Sequence, residues 1–342
     1  MALTTKHNKQ KRARLLHLLF SVAVLALLSG IITWTGEDKA PAANPGATGD
    51  AQVQHGSVSP LLFGTNLRLE NGNDQFLLSS STRQRLVEMR VRIIRMPVRP
   101  TLSNDTEIQA ARAIKSIGAY ALVVLRGAVD DAVLADDTRL INDMNSIFGN
   151  TLVYYEYGNE EDLLGVDVSR YADSWNAIVP RLKHLARNGQ FIGPVNFQYD
   201  RAYLTAFLRQ ARPRPDEVSW HEYTCDDSWP NDLCIARIDH WTQHINDARQ
   251  IMDHILGQTL PIMITEWNYA PNARENDGKI DNAIFMTNWT TKALETLAAN
   301  HIFASMQFAC TGPVYAFIRN DGTLTAQGIA MKTLYQQMIS NE

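Results

Sequence analysis

From about Ser59 onward, short apolar runs rich in β-branched and aromatic residues alternate with longer stretches whose apolar positions recur every three to four residues. The first pattern is that of buried strands, the second that of amphipathic helices. Strand-like runs fall at 61–67, 91–96, 121–125, 152–157, 191–193, 218–221, 262–265 and 303–308. Helical stretches follow them in turn at 82–90, 107–117, 138–148, 169–187, 202–211, 239–256, 283–300 and 326–338. Strict alternation of eight strands with eight helices predicts an α/β fold, a (β/α)8 TIM barrel, over residues 58–342. An open doubly wound sheet would carry a glycine-rich phosphate turn after its first strand. Phe63-Gly64-Thr65-Asn66 offers one glycine there, no P-loop spacing occurs, and no cofactor is expected.

The N-terminus follows different rules. Lys6, Lys9, Lys11, Arg12 and Arg14 precede any acidic residue, and an almost unbroken apolar run of membrane length follows. Residues 1–14 therefore read as a basic cytoplasmic segment and 15–35 as a transmembrane signal anchor, with a cleaved signal peptide as the alternative. Residues 36–57, rich in Ala, Pro, Gly and Ser, read as a flexible linker. This order places the barrel outside the cytoplasm.

With 342 residues, 45% of them hydrophobic and 20% charged, the chain can build one sizeable core. The net charge is only -4 and no basic stripe lies beyond the N-terminus, so nucleic acid is excluded as a partner. Cys225, Cys234 and Cys310 are too few and wrongly spaced for a cysteine-ligated zinc site. In an oxidising compartment Cys225 and Cys234 can staple the loop after the sixth strand; three free thiols is the other reading.

Polar groups gather where strands end. Arg95 ends the second strand, Asn159 and Glu160 follow the fourth, His221 and Tyr223 end the sixth, and Glu266 with Trp267 end the seventh. In a parallel barrel all of these C-terminal ends open on one face, so glutamates distant in sequence can meet across one cleft. A facing pair of carboxylates is what glycosidic cleavage requires. Arg95 and Tyr223 can keep Glu266 ionised, His221 can orient one carboxylate, and Asn159 can donate to a sugar hydroxyl. Glu156 alternates away from Tyr155 and Tyr157 and reads as a barrel-interior carboxylate beside a basic partner, while Glu222 and Asp226 read as loop charges. Trp267, next to Glu266, is the expected stacking platform for a sugar ring.

These segments carry a family resemblance. Tyr155-Glu156-Tyr157-Gly158-Asn159-Glu160 and Ile264-Thr265-Glu266-Trp267-Asn268 resemble the paired motifs of the large clan of retaining glycoside hydrolases built on (β/α)8 barrels, most of all family 39. Arg95-Met96-Pro97 and His221-Glu222-Tyr223 are similar to second- and sixth-strand motifs of family 5. The resemblance implies Glu160 as general acid/base, Glu266 as nucleophile, a carbohydrate substrate, and no metal. Two departures stand out. Glu161-Asp162 follow Glu160 where the clan has proline, adding charge expected to raise the Glu160 pKa, and Gln307-Phe308 stand on the eighth strand where many relatives present Trp. A non-catalytic carbohydrate-binding barrel is the alternative reading. A metal-dependent hydrolase would need histidines at ligand spacing on the strand ends, whereas His240 and His244 lie within a predicted outer helix.

Overall fold

The computed structural model describes residues 58–97, 102–128, 132–226 and 228–339; the readings for residues 1–14, 15–35 and 36–57 lie outside the described residues. Eight parallel strands close into a barrel in sequence order, with β8 pairing back onto β1. They are β1 (Gly64–Asn66), β2 (Ile93–Met96), β3 (Tyr120–Leu125), β4 (Val153–Tyr157), β5 (Gly189–Asn196), β6 (Glu217–Tyr223), β7 (Ile262–Asn268) and β8 (Ala304–Gln307). The helices are α1 (Gln75–Leu78), α2 (Ser80–Glu88), α3 (Asn104–Ser116), α4 (Val133–Phe148), α5 (Val168–Leu185), α6 (Arg201–Gln210), α7 (Asn231–Ala236), α8 (Asp239–Leu256), α9 (Ala283–Ala299) and α10 (Ala326–Met338). Among the described residues, no helix is long and apolar enough to cross a membrane.

Period-two alternation sorts the strand residues into two cores. Inward-facing Ile93, Leu122, Tyr154, Ile192 and Met263, with Leu61, fill the lower barrel as a separate apolar plug. Outward-facing residues pack under the helices, where Tyr157, Tyr171, Trp175 and Phe207 meet edge to face. Burying each such large side chain stabilises the fold by about 1.5–3 kcal/mol. Closure itself depends on Gly64, since a Cβ there would come within 2.6 Å of the Ser305 carbonyl.

The strand pattern holds with two adjustments. Leu61, Leu62 and Phe63, expected as the start of the first strand, lie instead in a 3-10 turn, Pro60–Phe63, begun by Pro60 and capped where Ser59 Oγ accepts from the Leu61 N–H. The fifth strand, short by its apolar run, is the longest at eight residues. Gly193 interrupts its hydrophobicity because a Cβ there would lie 2.9 Å from the Tyr171 hydroxyl and 3.2 Å from Trp175. The short helices α1 and α7 have no counterpart in the hydrophobic pattern.

Candidate active site

Alternation brings Arg95 on β2, Glu156 on β4, and Ser219, His221 and Tyr223 on β6 to the barrel interior, above the apolar plug. Strand β7 reaches the same cluster by breaking its alternation. Its register against β6 and β8 shifts around Thr265, the mark of a bulge. Met263 faces the axis, as the plug shows, and strict alternation would next turn Trp267 inward. The bulge reverses this: Glu266 faces the cleft, and Trp267 turns out to stack on Trp289 of α9 at 6.0 Å and donate its indole N–H to Ser305. Trp267 is fully buried, so the expectation that it stacks on a sugar is corrected.

Glu160 sits just past β4 in a left-handed backbone conformation, φ 52°, with its N–H donating to the Val195 carbonyl at 2.9 Å. Such a conformation is costly for a non-glycine residue and persists only where surroundings hold it. The next residue supplies part of the hold. The Glu161 carboxylate packs between Gly127 and Gly158, both at positive φ, and accepts from the Ala128 N–H at 2.7 Å. Burial pushes the Glu161 pKa up to about 7. The largest charges acting on Glu160 are those of His221, Glu266 and Arg95.

Arg95 is the hub of the cluster. Its Nη1 donates to Glu266 Oε1 at 2.5 Å and to Asn66 Oδ1 at 3.0 Å, its Nη2 to Asn159 Oδ1 at 2.6 Å, and its Nε to Glu156 Oε2 at 2.5 Å. The other oxygen of Glu266 accepts from the Tyr223 hydroxyl at 2.9 Å. His221 Nδ1 lies 2.7 Å from Glu160 Oε1 and 3.7 Å from Glu266 Oε2. One oxygen each of Glu160 and Glu266, with the imidazole, fall within 4.8 Å of one another. Both carboxyl side chains still reach solvent, 21% exposed for Glu160 and 10% for Glu266.

Electrostatics separates the two glutamates. Burial disfavours the charge on Glu266, but the His221 and Arg95 charges and the donors from Tyr223 and Arg95 outweigh it, and its pKa falls below the ordinary carboxylate value. Glu160 is raised, first by desolvation and further by the negative charge of Glu266, against the opposing pull of His221. His221 is itself raised, since the two glutamates overcome the effect of its burial. One glutamate is thus prepared as an anion and the other as an acid.

The site-forming residues Arg95, Asn159, Glu160, His221, Tyr223 and Glu266 come together as one network. The sequence pattern did not single out Asn66, which ends β1 and fixes Arg95 while its own Nδ2 donates to the Thr265 and Met306 carbonyls. Its only signal was a polar residue ending the first strand. Glu222 is no loop charge: it is buried on the outer face of β6, accepting from Trp220 Nε1 at 2.7 Å and facing His244 Nδ1 at 2.8 Å. His240 and His244 sit on α8, away from the cleft. Aromatic edges near the mouth come instead from Tyr223 stacked on Phe197 and Phe308 beside Tyr315, all part-exposed. Cys225, in the loop after β6, is joined to Cys234 of α7, and Cys310 is a buried free thiol. Among the described residues, Glu160, His221 and Glu266 form the one group with metal-ligand proximity, and there the Arg95 guanidinium already supplies the positive charge against Glu266. A cavity of about 570 Å³ between the loops after β7 and β8, lined by Glu275, Asp281, Pro313 and Arg319, touches neither glutamate, so charge geometry rather than volume locates the site.

No protein-family model matches the sequence, and no curated protein matches it. Solved structures match in fold. A GH51 arabinofuranosidase from Xanthomonas axonopodis pv. citri superposes with a TM-score of 0.62 at 17% identity, over 82% of this chain and 73% of that one. A family 51 α-L-arabinofuranosidase from Bifidobacterium longum gives 0.64 at 13% identity, over 81% and 74%. A GH5-4 broad specificity endoglucanase from an uncultured bacterium gives 0.55 at 12%, over 82% and 96%. At these identities the likeness is one of fold. It agrees with the clan-level resemblance of the motifs, and the neighbours named belong to families 51 and 5 rather than 39.

Proposed function

We propose that this chain is a retaining glycoside hydrolase that cleaves O-glycosidic bonds of an oligo- or polysaccharide by double displacement. The observation that carries the reading is that one carboxylate oxygen of Glu160 comes within 4.8 Å of one of Glu266. Retaining pairs stand about 5–5.5 Å apart, whereas inverting pairs stand about 6.5–9.5 Å apart to admit a water. The opposed charge preferences of the two glutamates supply the matching roles.

In the first step a Glu266 oxygen forms a bond to the anomeric carbon while the leaving oxygen departs with the Glu160 proton. Arg95 and Tyr223 hold Glu266 in line. Asn159 Oδ1 is taken by Arg95, which leaves its Nδ2 to meet a sugar hydroxyl. In the second step Glu160, now anionic, takes a proton from water, the water oxygen bonds to the anomeric carbon, and the ester to Glu266 breaks. His221 can serve Glu160 in both states, accepting from the acid as neutral imidazole or donating to the carboxylate as imidazolium.

The test is hydrolysis of a panel of nitrophenyl glycosides and polysaccharides, led by α-L-arabinofuranoside and glucoside because such activities are named for the structural neighbours. Turnover of at least one is expected. Saturable sugar binding with no turnover of any would move the chain to the carbohydrate-binding reading. We extend the proposal to location: a barrel carried across the membrane from the basic N-terminus, a reading supported by the Cys225–Cys234 bond, which suits an oxidising compartment. Protease added to intact cells should digest the barrel; a shielded barrel would contradict this.

A further inference from the structure

The proposed roles of Glu160 and Glu266 leave one buried carboxylate of the cluster without a task. Glu156 is wholly buried, one oxygen 2.5 Å from Arg95 Nε and the other accepting from Ser219 Oγ at 2.9 Å. Taking a carboxylate and a guanidinium out of water costs several kcal/mol per ion, and an apolar pair of similar volume would often serve stability as well. Arg95 divides its N–H groups among two anions and two amides, with Glu156 on the Nε edge and Glu266 and Asn159 on the opposite end. The single positive charge at the centre is therefore shared between the nucleophile and a second carboxylate that never meets the cleft.

We infer that Glu156 is a positioning residue that draws off part of the Arg95 charge and so keeps the ionised Glu266 nucleophilic. The inference rests on the reading of Glu266 as nucleophile. With Glu156 neutral, the whole Arg95 charge would fall on Glu266. A carboxylate held that tightly gives up affinity for a proton and for carbon together, so ester formation slows, while ester breakdown, in which Glu266 leaves as the anion, is eased. Glu156 and Asn66 also fix the guanidinium plane, which sets the direction of the hydrogen bond to Glu266. The groups facing Glu266 from the surrounding elements are Arg95 on β2, Glu160 after β4, and His221 and Tyr223 on β6, with Glu156 acting behind Arg95.

The experiment uses Glu156→Gln in the full chain, which keeps an acceptor for Arg95 Nε and removes the charge. Carboxyl-carbon NMR titration, with the Glu266 resonance assigned by its loss in Glu266→Gln, is compared with the pH profile of kcat/KM on a nitrophenyl glycoside that the unaltered chain hydrolyses. Both the Glu266 titration and the acid limb should move down by about one pH unit, and kcat on glycosylation-limited substrates should fall about tenfold or more. An acid limb and a Glu266 titration that stay in place overturn the inference. If Glu156→Gln does not fold, Ser219→Ala decides: removing that donor strengthens the claim of Glu156 on Arg95, so the Glu266 titration should move up, and no movement or a downward one overturns the inference. Absence of any hydrolysis by the unaltered chain would sink the proposed function and still leave the NMR comparison to judge Glu156.

Discussion

Two glutamates buried at opposite ends of one barrel carry opposite charge preferences. Counted over the whole residue, Glu266, near the C-terminal end of β7, is 8% exposed and Glu217, at the first position of β6, is 3% exposed. Glu266 receives hydrogen bonds from Arg95 and Tyr223, and its pKa falls. Glu217 Oε2 has no partner, and the nearby ammonium of Lys183 bonds to Asp216 instead. Burial, with the Asp216 charge behind it, pushes Glu217 up to about 8. Depth alone therefore does not decide ionisation; the donors a fold aims at the group do. The upper barrel is built around a guanidinium, the lower one around an apolar plug, and only the upper can hold an anion ready for chemistry.

The strongest way to break this contrast is to remove each carboxylate in turn. Glu266→Ala should lower kcat by a factor on the order of 10⁵ or more, whereas Glu217→Gln should leave kcat unchanged. Comparable losses in both, measured on one substrate, would erase the distinction between the two ends. Glu160→Ala comes next. On substrates with poor leaving groups it should cost about 10²–10⁴-fold, the usual span for general acid–base catalysis, but on an activated aryl glycoside the first step should survive and the second should stall. A burst of nitrophenol followed by slow turnover is the expected trace; equal losses on both substrate types would count against the acid/base role.

Stability against pH sharpens the lower half of the comparison. The folded pKa of Glu217, about 8, lies above its ordinary value of 4.5, so the native state binds the extra proton. Its contribution is fully present below about pH 4.5 and is lost as pH rises through about 8, up to about 5 kcal/mol in all. Glu161, raised to about 7, adds a slope of the same sign. Denaturant titrations from pH 4.5 to 8 should show stability falling, with a shallower fall in Glu217→Gln. An unchanged slope in the variant would mean that Glu217 finds a donor in solution. The smallest effect concerns Trp267. Trp267→Phe should cost about 1–2 kcal/mol of stability and leave KM within about twofold, as a core position predicts; a large rise in KM without loss of stability would return it to the sugar site.

The barrel was legible in the sequence because its signal is repeated: each apolar run and each amphipathic stretch points to the same alternation, and one weak strand does not disturb it. The strand-end residues were legible because a parallel barrel gathers all C-terminal ends on one face. What could not be read was direction. Trp267 and Glu266 are adjacent, and only the bulge around Thr265 determines which of them faces the cleft. Glu161 likewise looked like added charge at the site. That it turns away depends on Gly127 and Gly158 meeting across two loops, a contact between residues 31 apart, the difference of their numbers. Asn66 and Ser219 were silent for a different reason: small polar residues on strands become informative only once their partners are placed.

The central claim is that Glu160 and Glu266 stand close enough for direct attack by one and protonation by the other, with no water between nucleophile and sugar. NMR of the first product formed from a substrate the chain hydrolyses reads this directly, before mutarotation scrambles the anomers. The account predicts product with the anomeric configuration of the substrate. Product of inverted configuration would contradict it.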